Sequence, residues 1–146
     1  MNNETNTREK PDLVFTDLTL GREFRALEYR VTLELVQEFT EVVGDNHPMY
    51  KQCEPGMALA PPGLAAIYAR TSYLQDHSMP SGGVLAKQEF EFLNPIKIGD
   101  TLTVNAKVTE SFIDEKGRKR VTFLINARNQ KGVSISEVTL YAIWPK

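Results

Sequence analysis

The spacing of hydrophobic residues changes from helical to alternating near the middle of the chain. The first helical pattern follows Thr32, a predicted N-cap, and stops at Gly44, a residue that commonly ends helices. Polar residues fall largely on the opposite face, so we predict a surface helix with one buried stripe. The apolar residues of that stripe are Leu35, Val36, Phe39, Val42 and Val43.

A second helix is predicted from Gly63 to about Leu74. Pro61 and Pro62 precede it, and a missing backbone N–H costs little at a helix boundary or in the first turn. Apolar residues occur around much of its circumference. We therefore expect this helix to be wrapped by other elements rather than laid on a surface.

After Gly83 the hydrophobic period becomes two, which is typical of strands. Turn-forming residues separate the alternating stretches, and the last two turns favour consecutive antiparallel hairpins. An earlier, less regular stretch at 21–31 predicts a first strand. An α+β domain follows, in which an antiparallel sheet curls around the second helix. The four later strands are predicted at 84–93, 101–112, 119–129 and 133–144.

Length and composition favour one globular domain. The chain has 146 residues, of which 41% are hydrophobic and 25% charged, and a net charge of -2. We expect a flexible tail at 1–11 and a folded domain at 12–146. The charge gives no reason to expect nucleic acid or an anionic membrane as a partner, and no apolar run approaches a membrane span. We expect a cytoplasmic protein.

Metal and redox chemistry have no support in the sequence. The chain has a single cysteine, Cys53, without nearby ligands of a zinc site, and we interpret it as a bystander thiol. Phosphate-binding glycine loops and dinucleotide fingerprints are absent from the sequence. We predict no bound metal or cofactor.

The candidate chemistry lies between the two helices. The segment Asp45-Asn46-His47-Pro48-Met49-Tyr50 places a carboxylate and an imidazole on a turn after the first helix. About ten residues later, Ala60-Pro61-Pro62-Gly63-Leu64 begins the second helix. This arrangement is suitable for a small acyl-thioester site.

These two segments, their order, and the stretch from Phe90 to Leu102 resemble hot-dog proteins of the MaoC-like (R)-specific enoyl-CoA hydratase and dehydratase group. The resemblance covers about residues 18–145. It implies a single hot-dog domain, in which an antiparallel five-stranded sheet wraps around a long central helix. It also implies a dimer whose sheets join edge to edge.

The resemblance assigns catalytic roles to particular residues, but this chain departs from the family pattern at several of those positions. Active members carry Asp-x-Asn-Pro-x-His, where Asp and His activate the water that adds to a trans-2-enoyl thioester. Here Asp45 matches the family Asp, His47 stands at the Asn and Tyr50 stands at the His. Pro62 replaces the His that precedes the helix glycine, Gly63. At these positions the sequence looks more like the MaoC-like N-terminal, or fatty-acid-synthase-like, dehydratase branch. Members of that branch often pair with a complete hot-dog unit.

Hydration requires a base, an acid and a donor to the thioester oxygen. We expect Asp45 to hold or deprotonate water and the Gly63 N–H, at a helix N-terminus, to be the oxyanion donor. Tyr50 is a poor proton shuttle at neutral pH because a phenol has a pKa near 10. His47 is a possible replacement for the missing imidazole. Alternatively, Asp45 caps its own turn and His47 is a loop residue.

Two further groups of residues have competing interpretations. The predicted basic hairpin turn is either a contact for the phosphates of coenzyme A or a solvated turn, and its cations are Lys116, Arg118, Lys119 and Arg120. Tyr68 and Tyr73 either line a tunnel or pack in the core. Asn94 is predicted to be a structural turn residue that can border the acyl groove, and with Pro62 and Gly63 it is a candidate substrate-binding residue.

Three functions remain open at this point. The first is a hydratase or dehydratase, or a subunit of one, acting on enoyl or 3-hydroxyacyl thioesters of CoA or an acyl carrier. Its expected partner is a second hot-dog subunit, in a homodimer, heterodimer or higher oligomer. The second is a non-catalytic acyl-thioester-binding subunit. The third, a hot-dog thioesterase, is disfavoured because the second helix has no Asp or Glu from Gly63 to Gln75.

Overall fold

The computed structural model describes residues 9–45, 47–48 and 58–146. Helix α1 spans Leu33–Val43 and helix α2 spans Ala65–Tyr73. Short 3₁₀ turns lie at Phe15–Asp17 and Pro62–Leu64. The strands are β1 (Leu27–Arg30), β2 (Leu59–Ala60), β3 (Val84–Phe92), β4 (Ile96–Lys97), β5 (Thr101–Ile113), β6 (Lys119–Arg128) and β7 (Ser134–Trp144).

The ends of α1 confirm the caps predicted from the sequence. The Thr32 hydroxyl accepts a hydrogen bond from the Leu35 N–H at 3.1 Å, which satisfies one of the free donors of the first turn. Gly44 ends the helix with a φ of 71°, a left-handed conformation that favours glycine. Val36 and Thr40 are the buried residues of α1, so the helix lies on the surface as expected.

Five strands form one antiparallel sheet in the order β1-β5-β6-β7-β3, and β2 pairs with β4 separately. The four strands predicted after Gly83 agree with β3, β5, β6 and β7 to within one residue at each end. The first strand is shorter than predicted. The segment near Phe24 still runs along β5, with its N–H donating to the Ala106 carbonyl at 3.0 Å, but regular pairing is limited to Leu27–Arg30.

Helix α2 is shorter than the predicted 63–74 and is covered on only one side. Its first turn is a 3₁₀ turn containing Pro62, and the α-helix has nine residues. Ala66, Ile67, Arg70 and Thr71 are exposed. The expected central helix is therefore present in part: the sheet packs against one face of α2, and the opposite face is exposed. The buried residues are Ala65, Tyr68, Ala69, Ser72 and Tyr73.

The core is formed where that face of α2 meets the inner face of the sheet. Alternating residues of β5, such as Leu102 and Val104, are buried, as are those of β6 and β7. The Tyr73 ring stacks on the Phe123 ring with centroids 4.4 Å apart. Tyr68 is fully buried. The core-packing interpretation of both tyrosines is confirmed.

Strand β3 forms an edge of the sheet and is exposed along nearly its whole length. Only Gln88, of its nine residues, is half-buried. Phe90 and Phe92 keep 38% and 51% of their surfaces accessible. A long edge strand with exposed aromatic residues is rare in an isolated protomer, because it invites pairing with another chain.

Two buried tyrosine hydroxyl groups differ in their partners. The Tyr68 hydroxyl forms a short hydrogen bond with the Ser136 hydroxyl on β7, which ties α2 to the sheet. The Tyr29 hydroxyl is also buried but has no hydrogen-bond partner within the described part of the chain. The two rings lie near each other, with centroids 5.6 Å apart. They form a matched pair for measuring what the Tyr68 bond contributes.

Replacing Tyr68 with Phe should lower the free energy of unfolding by about 1–3 kcal/mol, because Ser136 loses its buried partner. The matched change Tyr29→Phe should be neutral or slightly stabilising, since it removes a hydroxyl that makes no hydrogen bond to any residue the structure describes. Urea denaturation of both variants measures the difference. Adding Ser136→Ala to Tyr68→Phe should recover part of the loss. Equal stabilities of the two single variants would show that the Tyr68 bond contributes nothing.

Candidate functional site

The turn after α1 holds the predicted catalytic carboxylate. The Asp45 N–H donates to the Thr40 carbonyl at 3.0 Å, which anchors the turn to the last part of α1. One carboxylate oxygen of Asp45 accepts a hydrogen bond from the His47 N–H at 3.2 Å. Asp45 is half-buried and His47 is exposed. This is the self-capping turn that the sequence offered as the alternative to a catalytic role.

Tyr50, the third predicted catalytic residue, lies outside the described residues, as does Cys53.

The entry to α2 contacts the same helix that carries the Asp45 turn. A Cβ placed on Gly63 would lie 3.1 Å from Cζ of Phe39, so the Phe39 ring rests against this glycine. Phe39 directly precedes Thr40, whose carbonyl holds the Asp45 N–H. Gly63 is the second residue of the 3₁₀ turn, where a backbone N–H has no acceptor within the helix. The predicted oxyanion donor and the Asp45 turn are therefore both attached to the C-terminal part of α1.

An apolar groove of about 310 Å³ lies beside the Pro62 turn. Of the predicted site residues, Pro62 and Asn94 line it, whereas Asp45, His47 and Gly63 do not. The Asn94 side chain donates to the Ser134 carbonyl at 2.7 Å, which ties the turn after β3 to the start of β7. We call this the apolar groove, lined by Leu59, Ala60, Pro62, Phe92, Leu93, Asn94, Pro95, Ile96 and Ile135.

A second cavity, of about 250 Å³, lies at the other end of α2 and was missed by the sequence reasoning. Arg70 is one of the residues that line this cavity, and most of the other lining residues are apolar. The Arg70 guanidinium makes no hydrogen bond within the described residues. The signal in the sequence that could have indicated this cavity was Arg70, a charged residue in a helix that has no other charged residue. We call this the Arg70 cavity, lined by Ala66, Arg70, Tyr73, Met79, Gly83, Val84, Leu85, Gln88, Leu140, Ala142 and Trp144.

The tyrosines of the core are not suited to proton transfer. Burial raises the pKa of Tyr73, and the positive charge of Arg70 opposes this rise. Burial also raises the pKa values of Tyr68 and Tyr29. These phenols stay protonated at neutral pH, so the base of any hydration must come from elsewhere.

Two arginines of the basic turn are paired with one carboxylate, Asp114. Both Arg118 Nε and Arg120 Nε donate to Asp114 Oδ2 at 2.8 Å. The other Asp114 oxygen accepts the N–H groups of Lys116 and Arg118 at 2.9 Å. These interactions, the Arg120 hydrogen bond above all, hold the pKa of Asp114 well below its usual range. Two of the cations that sequence reasoning considered for coenzyme A phosphates are therefore already paired.

Within residues 9–45, 47–48 and 58–146, no three His, Cys, Asp or Glu side chains come together as a metal site would require. None of the helices in that same part of the chain is both long and apolar enough to cross a membrane.

The order of the strands around α2 defines a hot-dog fold, and comparison with solved structures supports this. The (R)-hydratase PhaJ1 of Pseudomonas aeruginosa superposes with a TM-score of 0.74 at 22% identity, over 92% of this chain and 87% of that one. The HadBC (3R)-hydroxyacyl-ACP dehydratase complex of Mycobacterium tuberculosis gives 0.70 at 21% identity, over 85% of this chain and 96% of that one. These likenesses establish the fold.

The family follows from the sequence match. Residues 19–138 match the family described as FAS1-like, dehydratase domain region, and the chain belongs to it. This agrees with the resemblance to MaoC-like proteins. A curated relative, a UPF0336 protein of Streptomyces griseus, is 28% identical over 95 residues. That match covers 55% of this chain and 61% of the relative's length.

The Asp114 contacts predict how stability depends on pH. A carboxylate whose pKa is lowered by folding stabilises the protein above the pKa of the unfolded chain, near 3.8, and this contribution is lost as pH falls through the folded pKa. Asp114→Asn should therefore lower the melting temperature at pH 7, and the difference from wild type should shrink below about pH 4. Thermal unfolding across pH measures this. Glu115→Gln is the control in the same turn. A constant difference at all pH values would contradict the role of the Asp114 charge.

Proposed function

We propose that this chain is a MaoC-like hydratase or dehydratase, or a subunit of one, acting on enoyl or 3-hydroxyacyl thioesters of CoA or of an acyl carrier. The observation that carries this proposal is membership of the FAS1-like dehydratase family over residues 19–138. The resemblance of the Asp45 turn to the catalytic turn of MaoC-like proteins supports it further.

The proposed roles follow from the charges that develop during hydration. Asp45 holds or deprotonates the water, and the Gly63 N–H donates to the thioester oxygen as enolate charge forms. The apolar groove beside Pro62 takes part of the acyl chain, because its lining is dominated by aliphatic and aromatic side chains. His47 carries the second proton. Hydration is acid–base chemistry, and the proposal includes no metal or redox cofactor.

The proposed assembly contains a second hot-dog subunit. The exposed edge at β3 supports this, since its backbone groups and aromatic side chains are left for another strand to cover. HadBC, a solved structure of similar fold, is a complex of a (3R)-hydroxyacyl-ACP dehydratase. We propose a cytoplasmic setting, where Cys53 stays reduced.

A second function is favoured by one specific observation. The Asp45 carboxylate caps its own turn through the His47 N–H, and the family imidazole is replaced by Tyr50. In a non-catalytic subunit this chain would bind the acyl thioester while a partner with Asp-x-Asn-Pro-x-His performed the proton transfers. A thioesterase is the weakest alternative, because α2 has no carboxylate.

Purified protein should hydrate crotonyl-CoA, measured as loss of the enoyl absorbance. Asp45→Asn and His47→Ala should each lower kcat at least roughly a hundredfold if these residues move protons. The matched controls are Asp76→Asn, an exposed carboxylate paired with Arg25, and His77→Ala, the other histidine of the chain. Both controls should retain activity.

The other outcomes separate the alternatives. Activity that appears only after co-expression with a subunit carrying the intact motif, and that persists in Asp45→Asn, would support the binding subunit and contradict catalysis by this chain. Release of free thiol from acyl-CoA without hydration would identify a thioesterase. Failure to bind or convert any acyl thioester, alone or with such a subunit, would overturn the proposed function.

A further inference from the structure

The Arg70 cavity brings together hydrogen-bond donors that have no partner in the described part of the chain. Arg70, Gln88 and Tyr73 all line it. The side chains of these three residues make no hydrogen bond within the described residues, and Arg70 forms no ion pair there. A guanidinium can only donate, and an amide and a phenol can each donate as well. A ligand with acceptor oxygens would therefore satisfy several of these groups at once.

The rest of the cavity lining is apolar and carries no negative charge. It contains no Asp or Glu, and most of its residues are aliphatic or aromatic, such as Leu140 and Trp144. The Trp144 indole N–H is already used, since it donates to the Leu13 carbonyl at 2.7 Å. The lining thus offers one positive charge without a counter-ion and a wall suited to hydrocarbon.

The charge of Arg70 acts on the interior of the cavity. Burial raises the pKa of Tyr73, and the Arg70 charge opposes this rise because a nearby cation favours the phenolate. Tyr73 keeps only 9% of its surface accessible and stacks on Phe123. Arg70 itself is exposed, so its guanidinium is hydrated when the cavity holds no ligand. A hydrated cation beside a nearly buried ring can accept an anion without first breaking a protein contact.

We propose that the Arg70 cavity binds a small alkyl carboxylate, with the carboxylate on the Arg70 guanidinium and the hydrocarbon chain against the apolar wall. A guanidinium matches the two oxygens of a carboxylate in a planar, bidentate pair. The cavity volume, about 250 Å³, is below the small end of the range for drug-sized ligands, roughly 300 Å³, so the chain is short.

This inference goes beyond the proposed function. A carboxylate is not a thioester, and neither Asp45 nor Gly63 lines the cavity. Arg70 follows Gly63 by seven residues, which is about 10 Å along a helix. The carboxylate site is therefore separate from the proposed oxyanion donor.

Charge and polarity together select this occupant from others of similar size. A neutral alcohol or amide would fit the same wall but would leave the Arg70 charge without a counter-ion. Inorganic phosphate would pair with the guanidinium but has no hydrocarbon to cover the apolar lining. An alkyl carboxylate uses both parts of the cavity.

Two kinds of molecule present this chemistry. One is a free short-chain carboxylic acid, and the other is a thioester whose acyl chain ends in a second carboxylate. Only the thioester form rests on the proposed function. Adipyl-CoA and hexanoyl-CoA have acyl chains of equal length and differ in that terminal carboxylate, so they form a matched pair for separating the two sources.

Titration of the full-length protein tests the role of the charge. Sodium hexanoate should bind on the order of tenfold more tightly than hexanamide or inorganic phosphate. Arg70→Gln should weaken hexanoate binding on the order of tenfold, and Arg70→Lys should retain part of the preference. Arg128→Gln is the control, because Arg128 is also exposed but lies outside the cavity. Fluorescence of Trp144, the single tryptophan of the chain, measures binding, since Trp144 lines the cavity.

Filling the cavity tests its location. Ala66 is exposed on α2 and lines the cavity, whereas Thr71 is exposed on the same helix outside it. Ala66→Leu should therefore weaken hexanoate binding severalfold, and Thr71→Leu should leave it unchanged. Native mass spectrometry checks that all variants keep the assembly of the wild type. Equal binding by these two variants would overturn the location.

The remaining outcomes decide the ligand class and its source. Hexanoate binding that depends on Arg70 identifies a free carboxylic acid. A preference for adipyl-CoA over hexanoyl-CoA that is lost in Arg70→Gln, without hexanoate binding, identifies the end of an acyl chain. If neither pair of ligands shows a preference for the carboxylate that depends on Arg70, the proposal is overturned.

These measurements are independent of hydration. A protein that binds hexanoate through Arg70 but neither binds nor converts a thioester would overturn the proposed function and leave the carboxylate site intact. A protein that hydrates crotonyl-CoA without any carboxylate binding at Arg70 would overturn only the carboxylate site.

Discussion

The contact between one face of α2 and the inner face of the sheet determines the rest of this structure. Tyr73 stacks on Phe123, and Tyr68 bonds to Ser136, so the helix is fixed by both apolar and polar contacts. Because α2 packs across β1, β5 and β7, the inner face of β3 is left open to solvent. The apolar groove and the Arg70 cavity both border that uncovered strand. The groove and the Arg70 cavity are thus a consequence of incomplete coverage of the sheet.

Helix α1 connects this core to the Asp45 turn, which holds the predicted catalytic carboxylate. Phe39 rests on Gly63, and the next residue, Thr40, holds the Asp45 turn. A shift of α1 would therefore move the carboxylate and the helix entry together. Within the turn, the Asp45 carboxylate forms a backbone contact. The resemblance predicts a role in proton transfer for Asp45, and the geometry shows a turn cap.

The positive charges of the chain are distributed in a way that composition does not reveal. Arg118 and Arg120 converge on Asp114, so the basic turn stabilises its own hairpin. Arg70 instead stands beside an apolar lining and makes no hydrogen bond in the described part of the chain. Lys87 lies with Glu89 on the exposed edge strand. The role of each charged side chain depends on the residues that surround it, and only the folded chain determines which residues those are.

The sequence by itself determined the secondary structure after Gly83, the caps of α1 at Thr32 and Gly44, and the family, because these depend on local periodicity and on residue order. It did not indicate which side of α2 the sheet would cover, since apolar residues such as Ala66 and Ile67 also occur on the exposed face. Whether Asn94 binds backbone or Arg70 overlies a cavity depends on residues distant in the chain, such as Ser134 and Trp144. Tertiary structure alone decided these contacts, because pairing between remote strands brings such residues together.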